Sequence, residues 1–416
     1  MSRKRVVITG IGAVTPIGHG ADGLWAGVRE GRSGIRTIDR FPTDDIQTTV
    51  AAQVDDFDPL DFLDRKVARR MDRFAQFAVA ASDMAVRDAG LRLDPAQAQE
   101  RIGVTMGTAL GGVAGAEQEH ERYLRDGLRG VDTSLALTVF GGSGSSNIAI
   151  RYGLTGPSNA NSNSCSSGAI AIGEAFRYIR DGWADAMIAA SAEAPLYRLT
   201  FSAFTLIRTM SVNPDPRTAC RPFDLHRDGF VMGELAAVLV LEELGHALRR
   251  NAKIYCEVLG YSCNNDAHHM VAPHPEGRSA ARAIGDALRE ARRTPGDIDY
   301  VNAHASSTQL NDRVETLVLT RVFGERARTI PASGTKAMHG HALGASGAVE
   351  AALCCLVFQH DRLPPTLNYA TPDPQCDLDC IPNQGRTAHV DTVLSNAFGF
   401  GGINAALVLG RYDERP

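Results

Sequence analysis

The sequence has no apolar run that reads as long enough to cross a bilayer, and its opening Met-Ser-Arg-Lys-Arg leads straight into a strand pattern instead of an apolar leader. Neither a membrane anchor nor a secretory signal is expected, which places the chain in the cytoplasm. Cysteine is sparse: eight thiols in 416 residues show no paired spacing. That excludes a disulfide framework and leaves buried or reactive thiols in a reducing compartment. Metal-ligand clusters are lacking too. Cys376 and Cys380 have no second pair or neighbouring histidine, and neither His339 with His341 nor His268 with His269 has carboxylates or thiolates at ligand spacing, so no metal is expected. A formal net charge of -5 gives no general attraction to nucleic acid or to an anionic membrane, and an acidic partner would need a local basic patch. Finally, the run from Arg5 through Gly10 to Gly12 lacks the third glycine of a dinucleotide fingerprint. Thr15 stands where it is expected, and no acidic residue closes a second strand at the usual distance.

What is present is the profile of a soluble α/β enzyme: 44% apolar residues, 22% charged residues and 41 glycines, over a length that suits two core-sized halves. Strand patterns fall at 5–12, 102–106, 186–190, 254–260, 300–303, 392–396 and 404–409. Helical periodicity covers 68–89, the stretch from just after Ser164 to 179, and then 279–291, 312–323 and 345–360. Strands alternating with helices in both halves predict α/β layers with parallel pairing.

Cys165 stands in Ser164-Cys165-Ser166-Ser167-Gly168-Ala169, just ahead of a helical pattern. A thiol at a helix amino terminus meets unpaired N–H groups and the positive end of the dipole, which favours the thiolate and makes Cys165 a candidate nucleophile. A small buried cysteine at a tight turn is the alternative. His304 closes a strand in Asn302-Ala303-His304, at a sheet edge of the kind where ligands bind. His341 ends the segment Gly334-Thr335-Lys336-Ala337-Met338-His339-Gly340-His341. Between the last two strands, Asn396-Ala397-Phe398-Gly399-Phe400-Gly401-Gly402 forms a glycine-rich turn whose free N–H groups suit a developing oxyanion.

With Arg221-Pro222-Phe223-Asp224 and Arg227-Asp228-Gly229-Phe230, these segments resemble the β-ketoacyl-acyl-carrier-protein synthases of the synthase II type and the related ketosynthases of type II polyketide systems, over almost the whole chain. The resemblance implies the thiolase fold, an α/β architecture of two similar halves forming a layered αβαβα core. Residues 1–252 then carry the nucleophile and residues 253–416 both histidines. It implies an acyltransferase that condenses a Cys165-bound acyl chain with malonyl-acyl carrier protein by a decarboxylative Claisen reaction. No cofactor of its own is implied, because substrates arrive on the phosphopantetheine of an acyl carrier protein. Cys165, His304, His341, Lys336 and Phe400 match the catalytic positions, with the N–H groups of Cys165 and Phe400 holding the oxyanion, and Asp312 and Glu350 match a charged network behind the histidines. Leu110, Phe398 and Phe400 match residues around the acyl and pantetheine path, and Ser306 and Thr308 the hydroxyls that bond the pantetheine arm. Lys66, Arg69 and Arg70, at helical spacing, and Arg208 match a docking face for an acidic carrier protein, with a merely solvated helix face as the alternative.

The implied partner is a second copy of the chain or a chain-length-factor-like subunit. Retention of Cys165, His304, His341 and Lys336 argues against a non-catalytic subunit, and Ile403-Asn404, with no cysteine nearby, argues against a thiolase. The sequence departs from the resemblance at several positions where glycine is usual: Ala305, Ala190, Ser191, Leu235 and Ala237. Small residues fill Gly141-Gly142-Ser143-Gly144-Ser145-Ser146 where housekeeping synthases have bulkier ones. A reshaped pocket suited to a polyene or polyketide intermediate is expected, and with it a specialised polyketide role over a fatty-acid one.

Overall fold

Two glycines in the opening strand show what that Gly-x-Gly run is for. In the computed structural model, which describes residues 3–413, strand β1 (Val6–Thr15) lies directly against helix α1 (Arg73–Asp88). A β-carbon on Gly10 would sit 2.3 Å from the carbonyl oxygen of Ala85, and one on Gly12 1.8 Å from that of Ala81. Glycine here permits close strand-on-helix packing, the ordinary reason for it inside a strand. Met1 and Ser2 of the opening stretch lie outside the described residues. The single helix expected over 68–89 is broken. A helical turn spans Arg65–Ala68, and α1 starts afresh at Arg73, where the Asp72 carboxylate caps it by accepting the Phe74 N–H at 3.1 Å.

Ten strands run along one continuous sheet, and a two-residue strand at Gly18–His19 pairs with β1. The amino-terminal strands are β1, β2 (Ile102–Gly107), β3 (Ser158–Asn161), β4 (Ala186–Glu193) and β5 (Leu235–Glu243). The carboxy-terminal ones are β6 (Cys256–Asn265), β7 (Tyr300–Asn302), β8 (Ala332–Ser333), β9 (Thr392–Gly399) and β10 (Ile403–Gly410). Their spatial order is β8-β7-β9-β10-β6-β1-β5-β4-β2-β3. Each set of five therefore repeats one arrangement, third-second-fourth-fifth-first, and the two sets meet where β1 pairs with β6.

The expected parallel pairing is corrected in part. Parallel pairs join β2 to β3 and β4, and β7 to β8 and β9, at the outer ends of the sheet. Every pair toward the centre is antiparallel. The reason is visible at β9 and β10, where a four-residue glycine turn reverses the chain; a parallel partner needs a long crossover.

Helices α2 (Ser167–Arg180) and α5 (Ser346–His360) touch each other and strands of both halves, whereas α1 and α3 (Arg278–Glu290) cover the outer faces, which gives the αβαβα layering. Sequence accounts for the difference. The outer helix α3 buries one stripe, Ala280, Ala283, Ile284, Ala287 and Leu288, and turns its arginines outward. The central α5 is apolar all round, with Glu350 its only charged residue apart from the terminal His360. Together with the preceding turn, Leu343–His360 reaches membrane-spanning length and hydropathy, against the expectation that no run does, but 89% of it is buried in the core.

Candidate active site

Three chain reversals bring the reactive side chains together, and each is held in an unfavourable backbone conformation. Cys165 lies in a single 3-10 turn, Ser164–Ser166, immediately before α2. The Ser166 hydroxyl ties this turn to the opposite half of the sheet by donating to the carbonyl oxygens of Ala397 at 2.9 Å and Ile403 at 2.8 Å. His304 follows β7, and His341 follows the short helix Lys336–His339. Ser164, Ala305 and Leu343, one beside or near each of the three, have left-handed φ values of 53°, 43° and 40°. Non-glycine residues in that region store strain that the surrounding structure must hold in place. At Ala305, where glycine was the expected residue, a β-carbon on Gly334 would lie 2.5 Å from the Ala305 methyl, so Gly334 makes room for it.

Cys165, His304, His341, Phe398 and Phe400 line one cavity of about 280 Å³. The two imidazole rings stand 5.4 Å apart, centroid to centroid, at 80° to one another. A β-carbon on Gly399 would come 3.1 Å from the Cys165 nitrogen, so the glycine turn presses directly on the nucleophile's backbone, and the Phe400 N–H beside it favours the charged form of the sulfur. A thiol, two buried imidazoles and a glycine-rich turn packed on the nucleophile's backbone form the equipment of acyl transfer.

The family model for the beta-ketoacyl synthase N-terminal domain matches residues 3–247, and the model for its C-terminal domain matches residues 255–370. The chain belongs to the beta-ketoacyl synthase family. It is 45% identical, over 99% of both chains, to the 3-oxoacyl-[acyl-carrier-protein] synthase 2 of Synechocystis sp.. Among solved structures it resembles the ishigamide ketosynthase/chain length factor, with a TM-score of 0.93 and 36% identity over 99% of this chain and 100% of that one. It also resembles a type II PKS acyl-carrier protein in complex with its ketosynthase bound to the hexaketide, with a TM-score of 0.91 and 34% identity over 99% of this chain and 100% of the other. The architecture is thus that of thiolase-fold ketosynthases.

Burial governs the charge states in this synthase. It pushes His304 and His341 well below the ordinary imidazole value, and the Lys336 ammonium adds to that, so both rings are neutral at neutral pH. Burial also raises the Cys165 thiol above its ordinary value, outweighing the Ser164 hydroxyl, the Lys336 charge and the Phe400 N–H. The thiolate expected from a helix amino terminus is therefore corrected: enclosure at 5% exposure wins, and the resting group is a thiol.

Behind the rings, Lys336 donates to the His304 carbonyl oxygen and to Glu350, with both side chains fully buried. Asp312 stands outside this pair. It accepts the N–H groups of Phe223 at 2.9 Å and Ser307 at 3.2 Å and faces Arg227 at 3.5 Å, so it fixes the loop after His304. The carboxylate next to His304 is instead Glu315, on α4 (Gln309–Phe323), which accepts the His304 N–H at 2.8 Å and the Ala305 N–H at 2.7 Å. Sequence reading missed it; the signal was an acid three residues beyond Asp312, on the same face of the helix. Ser346 was also missed. Its hydroxyl meets Nδ1 of His341 at 2.8 Å from the first position of α5.

Ser306 and Thr308 line the cavity with their hydroxyls 2.9 Å apart, and Thr308 also caps α4 by accepting the Asn311 N–H at 3.2 Å. The Phe398 ring lies 5.9 Å from that of His304. Leu110 is not in the cavity lining; it packs behind Cys165 in an apolar cluster with Phe41, Leu196, Phe201 and Phe400. The basic residues do not form one patch around a single opening. Arg208 is exposed at the mouth of the Cys165 cavity, whereas Lys66, Arg69 and Arg70 are exposed around the helical turn Arg65–Ala68, and Arg69 lines a separate cavity of about 780 Å³. Ser191, another departure from glycine, uses its hydroxyl to donate to the carbonyl oxygens of Gly107 at 2.6 Å and Gly344 at 3.0 Å.

Proposed function

We propose that the protein is a ketosynthase that takes an acyl group onto Cys165 from a carrier-bound thioester and extends it with malonyl-acyl carrier protein. The observation that carries the reading is the single cavity that Cys165 and Phe400 share with two imidazoles held neutral by burial. As sulfur attacks, the oxyanion settles on the N–H groups of Cys165 and Phe400, and the proton lost by the Cys165 thiol is taken up by the carrier's thiol as the tetrahedral centre collapses and the carbon–sulfur bond to the carrier breaks. Malonyl next enters and loses carbon dioxide, and its enolate oxygen receives hydrogen bonds from His304 and His341. With the Ser346 hydroxyl donating to Nδ1, the proton of His341 resides on Nε2, the nitrogen left for substrate. The carbanion attacks the acyl carbonyl, and the Cys165 sulfur leaves and regains a proton.

In this scheme residues 1–252 supply the nucleophile and 253–416 both histidines. Lys336, Glu350 and Asp312 orient the rings and the loop after His304, Ser306 and Thr308 hold the pantetheine arm, and Phe398 and Phe400 flank it. Lys66, Arg69, Arg70 and Arg208 attract the acidic carrier protein, and the work is done in the cytoplasm.

The pathway we propose is a type II polyketide system with a chain-length-factor-like partner. Likeness to ketosynthases solved together with a chain length factor supports it. A second reading, a homodimeric fatty-acid synthase of type II, is favoured by the 45% identity to a synthase 2.

Intact-mass measurement after adding acyl-carrier and malonyl-carrier substrates tests both. Acyl mass on wild type and none on Cys165→Ala is expected. Ketoacyl product formed only with a partner subunit selects the polyketide system, product from the protein alone selects the second reading, and no acylation under either condition rejects a ketosynthase.

A further inference from the structure

Glu193 ends β4, is fully buried, and makes no salt bridge among the described residues. Its Oε1 accepts from the Thr108 hydroxyl at 2.7 Å, from the Leu110 N–H at 3.2 Å and from the Ala109 N–H. Thr108 Oγ1 accepts the Gly111 N–H at 3.0 Å in turn. The whole segment 108–111 that follows β2 thus hangs on one carboxylate oxygen. The other oxygen, Oε2, is buried without a partner. A β-carbon on Gly344 would come 2.8 Å from Oε1, so the chain just beyond His341 gives the carboxylate its space. Burial pushes this carboxyl up to about 7, against those same donors.

Leu110 sits at the centre of what this loop controls. It packs with Phe41, Leu196 and Phe201 behind Cys165. Phe41 and Leu196 also line the 780 Å³ cavity, which lacks Cys165, while the 280 Å³ cavity holds Cys165 and lacks both. The cluster containing Leu110 is therefore the partition between the two spaces. A chain too long for the smaller cavity would have to cross that cluster to reach the larger one.

We propose that Glu193 is a positioning residue that sets the Leu110 partition through the 108–111 backbone and thereby fixes the length of acyl chain the synthase accepts. This rests on the ketosynthase reading above. Removing the carboxylate takes the acceptor from the half-buried Ala109 and Leu110 N–H groups and from the buried Thr108 hydroxyl, so the loop must shift to satisfy them. Glutamine keeps an accepting oxygen at the same place and should hold the loop.

The test follows the rate of acyl mass appearing on Cys165 of the full-length protein with pantetheine thioesters of short, medium and long saturated chains. Glu193→Ala should change the long-to-short rate ratio by about tenfold, the scale on which pocket shape discriminates small apolar differences. Glu193→Gln should retain the wild-type ratio, and Thr108→Val, which removes one donor, should move it in the direction of Glu193→Ala and serves if that variant does not fold. Asp88→Ala removes half-buried bonds to the Ile11 N–H and the Tyr255 hydroxyl, each 2.8 Å, at a distant site, and should leave the ratio alone. Normal acylation with an unchanged ratio in both Glu193→Ala and Thr108→Val overturns the proposal, as does an equal shift in Asp88→Ala. Absence of acylation in wild type overturns the ketosynthase reading itself.

Discussion

The Lys336 ammonium donates to the backbone carbonyl of His304 and not to its ring. The lysine thus fixes where the imidazole begins, while burial first and its charge second keep protons off both rings. With Glu315 bonding the His304 and Ala305 N–H groups, the peptide on each side of His304 is bonded to a buried charged side chain. Two functions are met at once: the backbone that carries the ring is anchored on both sides, and the ring is a neutral donor.

Removing Lys336 should therefore damage stability and chemistry separately. Lys336→Met leaves Glu350 buried and alone, which costs about 3–5 kcal/mol when one partner of a buried pair is lost. The Glu350 carboxyl, already raised to about 7 by burial, rises further. A carboxyl whose folded value exceeds its unfolded one favours the fold at low pH and loses that contribution as pH rises through the folded value. The destabilisation should consequently be larger at pH 8 than at pH 6 in urea melts. Lys336→Met/Glu350→Gln should recover most of the stability and none of the malonyl decarboxylation.

The buried histidines should not titrate where histidine normally does. His304 and His341 are held well below the usual value, and His339 is lowered to about 3, each chiefly by burial. Groups with depressed folded values stabilise the fold above their unfolded value and withdraw that support as pH falls. In NMR spectra of ring-labelled histidine, three resonances should stay at their neutral positions from pH 8 to pH 6. Assignment by His304→Asn and His341→Asn identifies two of them, and a midpoint near 6.5 for either would contradict the neutral-donor mechanism.

Much of this site was legible in sequence because it sits at element ends. Cys165, His304 and His341 each follow or precede a clear period change, and glycine turns mark what lies beside them. Pairing direction was not legible, since alternating strands and helices do not say that β4–β5 and β9–β10 reverse. Nor was the thiol state of Cys165, because spacing places it near a helix start and says nothing of how completely it is enclosed. Glu315 and Ser346 escaped for a related reason: an acid on a helix and a serine at a helix start have ordinary surface roles, and only the packing of α4 and α5 turns them inward.

Ser346→Ala should slow decarboxylation while sparing acylation. The hydroxyl lies 2.8 Å from Nδ1 of His341, and without it the ring no longer prefers to carry its proton on Nε2. Loss of one such bond is worth roughly 1 kcal/mol, so about a five- to tenfold fall in malonyl decarboxylation is expected. Cys165 acylation does not use that donor and should proceed at the wild-type rate by intact mass. An equal fall in both steps would mean that Ser346 merely supports the fold.

Carrier docking should respond to salt in a way that separates the two groups of basic residues. Lys66, Arg69 and Arg70 are exposed away from the Cys165 cavity, so the contribution expected of them in the proposed docking is long-range attraction on a chain whose net charge is -5. Arg69→Glu/Arg70→Glu should raise KM for an acyl-carrier substrate by about tenfold at low salt and leave kcat unchanged, because exposed charges act mainly on association. That difference should shrink toward nothing near 1 M salt, where screening acts within about 3 Å. The same variant should be indistinguishable from wild type on a small pantetheine thioester, which has no acidic surface to attract. Arg208 lines the cavity mouth, so Arg208→Ala should impair both substrates and retain its effect at high salt. If the double reversal impaired the small thioester equally, the helical turn at Arg65–Ala68 would be holding up the synthase and not receiving its carrier.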